Sequence, residues 1–79
     1  MVVAIFEISW KRPDDEEARK RTFALFPDCK IREAKRHEPF EHACETRMHK
    51  TSKEAVDRLR DVLEKAGDDV ATIQVSVGH

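Results

Sequence analysis

The stretch TSKEAVDRLRDVLEKAG, residues 51–67, carries the clearest period in the chain. Ala55, Val56, Leu59, Val62, Leu63 and Ala66 recur at the three- and four-residue spacing of one helical stripe. Thr51 and Glu54 have the spacing of a capping box, whose two side chains satisfy free N–H groups at a helix start. Gly67 stands where a helix ends on a left-handed residue, a conformation that costs glycine no Cβ clash. Glu54–Arg58 and Asp61–Lys65 add favourable i,i+4 pairs on the wet side. The spacing predicts a helix from about Ser52 to Ala66, with Leu59 and Leu63 buried against a sheet.

Towards the C-terminus, Val70 to Val77 alternates as a strand, with Ala71, Ile73, Val75 and Val77 on its apolar face. Towards the N-terminus, Cys29 to His49 also alternates, with Pro39 midway, and reads as a hairpin turning near Glu38-Pro39. A two-residue loop there puts Arg36 opposite Glu41, Ala34 opposite Ala43 and Arg32 opposite Glu45. Opposite charges facing across strands contribute about 0.2–1 kcal/mol per pair.

The chain opens with a further strand, Val2 to Trp10. Val2, Ala4, Phe6, Ile8 and Trp10 fall on one face, and Val3, Ile5, Glu7 and Ser9 on the other. Apolar residues on both faces of its first half mark a central strand. Lys11-Arg12-Pro13 break it. Asp14 and Glu17 have N-cap and N3 spacing for a first helix, which presents Ala18, Thr22, Leu25 and Phe26 on one side and stops at Pro27.

The element order is β-α-β-β-α-β over a single domain, residues 1–79. The expected fold is therefore α+β, a ferredoxin-like sandwich with a four-stranded antiparallel sheet and two helices on one face. Right-handed crossovers put the first and third strands in the centre and the second and fourth at the edges.

Composition narrows the function. Fifteen Lys and Arg against sixteen Asp and Glu leave a net charge of −1, unlike the strongly basic balance of a dedicated nucleic-acid domain. Two glycines, Gly67 and Gly78, leave none for a phosphate-binding loop. Cys29 and Cys44 can pair once at most, so reduced thiols and a cytoplasmic location are expected. The apolar run from Val2 is cut by Glu7 and lacks the features of a signal peptide, and no run reaches the length of a membrane span.

Three clusters could carry chemistry. His42 and Cys44 are in phase on one strand and are metal-ligand types, with His37, His49 and Cys29 near in sequence. Their spacing matches no zinc-finger pattern and His49 falls out of phase, so no metal or cofactor is assigned. Lys30, Arg32, Arg36 and Arg47 form a basic stripe, but Glu41 and Glu45 interleave with it and offset its field. Val3, Ile5, Ala34, Ala43 and Val70 are expected on the sheet face away from the helices, rimmed by Arg32, Arg36, Glu41, Glu45 and Arg47. A mildly apolar centre inside a charged rim is the anatomy of a protein-binding patch. Trp10, at a strand end beside Lys11 and Arg12, is an expected interface anchor.

The leading expectation is a non-enzymatic interaction domain, an intracellular regulator or inhibitor of the kind a phage or mobile element encodes. It binds another protein through Val3, Ile5, Trp10, Arg32, Ala34, Arg36, Ala43, Glu45 and Arg47, and self-associates as a homodimer. Two alternatives stand beside it. In element order and strand-first start the chain resembles the small CRISPR-associated ferredoxin-like nucleases that work as dimers, which implies a nucleic-acid partner. Those enzymes carry an aspartate near the end of the first strand, where Glu7 and Ser9 stand here. The other is a small dimeric ferredoxin-like enzyme using His42 or His37 as acid or base.

Overall fold

The computed structural model describes residues 1–78. Its elements are β1 (Val2–Trp10), α1 (Glu16–Phe23), β2 (Lys30–Glu33), β3 (His42–His49), α2 (Ser52–Ala66), a single 3₁₀ turn (Gly67–Asp69) and β4 (Val70–Gly78). The strands form one antiparallel sheet in the order β2-β3-β1-β4. The α+β fold and the central placing of β1 and β3 are as the residue pattern predicts. No helix is long and apolar enough to cross a membrane among the described residues.

β1 alternates as expected: Val2, Ala4, Phe6, Ile8 and Trp10 are buried, while Val3, Ile5, Glu7 and Ser9 are half-buried on the opposite face. Of these, Ala4, Phe6, Ile8 and Trp10 join Ala18 and Phe26 from the α1 region, Cys44 from β3, Ala55, Val62 and Ala66 from α2, and Val70 and Ile73 from β4. Both helices therefore cover one face of the sheet, called the inner face below.

Both helix starts are capped by side chains. Thr51 Oγ1 accepts from the Glu54 N–H at 3.2 Å, and Glu54 Oε2 accepts from the Lys50 N–H at 2.7 Å. Gly67 closes α2 at φ +56°, the left-handed region that disfavours any residue with a Cβ. In α1 the cap is Asp15, whose carboxylate accepts from the Ala18 N–H, one residue later than the expected Asp14.

Four expectations need correction. Leu63 is exposed (38%) and Leu59 half-buried, because the buried stripe of α2 is centred on Ala55, Val62 and Ala66. Small residues there let the helix sit close to the sheet and leave the wider side of its apolar arc in solvent. Val70 lies in the inner-face core opposite Trp10, and Ala71 is exposed. The pairs Ser9–Thr72 and Trp10–Val70 leave Ala71 as the extra residue of a bulge, which reverses the alternation. The hairpin register is Arg32–Ala43 and Lys30–Glu45, not Arg32–Glu45 and Ala34–Ala43. Finally, the loop runs from Ala34 to Glu41, closed by the Ala34 N–H to Glu41 carbonyl bond at 2.8 Å, so Arg36 lies in it rather than opposite Glu41. That shift is by two residues, so every side chain keeps its expected face.

Candidate interaction surface

The outer face of the sheet carries no helix. One cross-strand row runs Arg32, Ala43, Glu7, Gln74, and the next runs Lys30, Glu45, Ile5, Ser76. Val3, Ile5, Arg32, Ala43 and Glu45 thus come together as the alternation predicts. Ile5, Lys30, Arg32, Ala43 and Glu45 line a depression of about 110 Å³. A second, of about 270 Å³, lies beside it among Glu7, Pro39, Phe40, Thr72 and Gln74.

Ala43 is the floor of this surface rather than its exposed centre, at 1% exposure between Arg32 and Glu7 in its row. Arg32 is the organising charge. Its guanidinium makes a two-pronged contact with Glu38 at 2.9 and 3.2 Å and lies 6.0 Å from the Phe40 ring. Its charged form is favoured by Glu38 first, with Glu7 and Glu45 adding. Glu38 also accepts from the Lys35 N–H at 2.7 Å, and these bonds hold its carboxyl down to about 2. On the β4 side, the Ser76 hydroxyl donates to Glu7 at 3.4 Å. Positive and negative groups alternate across the rows, so the face presents paired charges around two half-buried aliphatics, Val3 and Ile5.

Other expected site residues lie elsewhere. Trp10 is a core residue at 2% exposure, its ring edge-on to Phe23 and His42 and its indole N–H bonded to Thr22. It cannot anchor a partner in this state. Arg36 is exposed in the loop, Ala34 is half-buried where the loop begins, and Arg47 is exposed in the irregular step of β3 opposite Val3. Glu7, Gln74 and Ser76 were legible from strand alternation but were not included in the expected patch. Glu38 and Phe40 join it through the loop, and no spacing rule signals that return.

His42, His49 and the two cysteines face inward, whereas His37 is exposed in the loop. His49 shares the inner face with His42, against the expected phase, because the irregular step of β3 between Thr46 and His49 reverses the alternation. His42 packs against Trp10 and Phe23 at 5.2 and 5.1 Å, and burial lowers its pKa. His49 packs edge-on to Phe6 at 5.9 Å. Cys44 is fully buried and its thiol is pushed up to about 12, chiefly by desolvation; Cys29, half-buried, is pushed up to about 11 for the same first reason. Such thiols are poor nucleophiles. Among the described residues no three His, Cys, Asp or Glu side chains are grouped to hold a metal ion. Next to the cysteines, Arg58 of α2 lies over Phe6 and Phe26 at 5.7 and 5.3 Å, and donates to Asp28 and to the Leu25 carbonyl. It pins the α1–β2 connection onto the core.

No protein-family model matches the chain, and a search of curated proteins finds no match. Solved structures do match. The crystal structure of FFRP-DM1 superposes with a TM-score of 0.70 at 11% identity, over the whole of both chains. The hypothetical protein PHS023 from Pyrococcus horikoshii superposes with a TM-score of 0.68 at 12% identity, over all of this chain and 90% of the other. Identities this low extend the likeness to the fold alone.

Proposed function

We propose that this chain is a small, non-enzymatic, intracellular interaction domain that regulates or inhibits a partner protein by docking it on the outer face of the sheet. The observation that carries this reading is the uncovered face itself. Both helices pack on the inner side, and the outer side sets half-buried Val3 and Ile5 within Lys30, Arg32, Glu45 and Glu7. Aliphatic groups inside a charged rim supply burial at the centre and polar selectivity at the margin.

The alternating charge sign specifies the kind of partner. A phosphate backbone demands one sign along the surface, whereas Arg32 beside Glu7 and Lys30 beside Glu45 suit a protein surface with matching charges of both signs. The two depressions beside Ile5 and Phe40 are sized for single side chains of such a partner. The test uses the full chain as bait in host lysate, beside Ile5→Lys and Leu63→Lys baits of verified fold. A partner retained by wild type and Leu63→Lys but lost by Ile5→Lys supports the reading; retention by all three removes the outer face from consideration.

A further inference from the structure

The two edges of the sheet differ in kind. β2 has four residues, Lys30-Ile-Arg-Glu33, three of them charged, and is followed by the loop. Short, charged edges resist pairing with another strand. β4 has nine residues, Val70 to Gly78, with no charge and no proline, and pairs only with β1. Beyond the bulge at Ala71, its far side leaves the backbone groups of a long strand rich in β-branched residues without a sheet partner among the described residues.

The helix above that edge has a matching feature. Arg58 reaches towards Asp28 and Leu25, so that flank of α2 faces the middle of the sheet. At 100° per residue the opposite flank holds Val56 and Leu63, exposed at 37% and 38%, with Leu59 between them and the core. This flank stands over the free edge of β4, where Val75 and Val77 are also half-buried.

We infer that β4 and α2 together form a self-association surface whose occupant is a second copy of this chain, joined across a two-fold axis into an eight-stranded sheet. Antiparallel pairing of β4 with its copy about Gln74 puts Ile73 opposite Val75 on the inner face. On the outer face it puts Thr72 opposite Ser76 and Gln74 opposite itself. Every pair is like with like in polarity, and none sets charge against charge. The helices meet on the same axis. Gln74 lies about 13 Å beyond Val70 at ~3.3 Å per strand residue, and Leu59 lies about 10 Å before Ala66 at ~1.5 Å per helical residue. The 3₁₀ turn between them reverses the chain. An axis at the middle of the strand therefore meets the middle of the helix, and sets Val56 of one copy level with Leu63 of the other. The same arrangement brings Lys53 of each copy within a turn of Glu64 of its mate, opposite charges at the rim of an apolar seam. This interface does not depend on what docks on the outer face, which it leaves open and doubles in extent.

Sedimentation equilibrium of the purified chain tests it. Wild type should be a dimer. Val56→Lys/Leu63→Lys and Val56→Glu/Leu63→Glu should each be monomeric with unchanged circular dichroism, and an equimolar mixture of the two should dimerise. Gln74→Lys, which sets two lysines face to face on the axis, should weaken the dimer at least about tenfold, while Ile5→Lys should leave it intact. A wild-type monomer up to ~1 mM, the weak end of specific association, overturns the inference. So does a dimer that survives both double substitutions, or one that only Ile5→Lys dissolves.

Discussion

The indole N–H of Trp10 donates to the Thr22 hydroxyl at 3.1 Å, and that hydroxyl donates in turn to the Ala18 carbonyl at 3.0 Å. Both side chains are buried at 2% exposure or less. A short helix with few apolar residues is thereby tied to the end of the central strand by a polar bond inside the core. Thr22→Val keeps the shape but strands the indole N–H, at a cost of about 1–3 kcal/mol. Urea unfolding followed by the fluorescence of this single tryptophan reads it. Thr22→Ser, which keeps the hydroxyl, should recover most of the loss.

The buried ring that follows α1 and the exposed flank of α2 give a second expectation. Phe26→Ala removes a fully buried ring that packs on Phe6 at 5.1 Å, and should cost about 3–5 kcal/mol. Leu63→Ala, on the exposed flank, should change the stability of the monomer by less than about 0.5 kcal/mol. Equal losses at the two sites would place Leu63 in the core.

Acid should loosen the α1–β2 connection and the β2–β3 loop before the core. Asp28 and Glu38 are both held down to about 2, by Arg58 first and Arg32 first respectively. A carboxylate with a depressed folded pKa contributes stability that is fully present above its unfolded value, near 4, and disappears as pH falls towards 2. Asp28→Asn and Glu38→Gln should each flatten the fall in thermal midpoint between about pH 4 and 2, and leave the slope above pH 5 unchanged.

The thiols should be slow. With Cys29 at about 11 and Cys44 at about 12, alkylation of the native chain at pH 8 should run well below that of a free thiol, Cys29 ahead of Cys44. Denaturant should release both to equal rates. Mass spectrometry of time-quenched samples gives the order.

How much of this was legible in the residues follows from which signals are local. The stripe of α2, the Thr51 cap, Gly67 and the two-faced alternation of β1 are short-range patterns, and they placed the elements and the order of the sheet. Bulges and loop length are not local. Ala71 is an extra residue only because Trp10 pairs with Val70, and that pairing reversed the expected sides of Val70 and Ala71. The hairpin loop is longer than the expected two residues and its register is slid by two, with Arg32 bonded to Glu38 and Phe40 returning beside it. Trp10 read as a surface anchor because Lys11 and Arg12 follow it; the hydroxyl that takes it into the core lies twelve residues away in α1.

The outer-face claim is tested most directly by an NMR footprint of the partner retained in the capture experiment on ¹⁵N-labelled chain. The expected result is shift and broadening concentrated at Val3, Ile5, Glu7, Lys30, Arg32 and Glu45, with the amides of α1 and α2 little changed. Perturbation centred on the helices, with those strand residues silent, would contradict it.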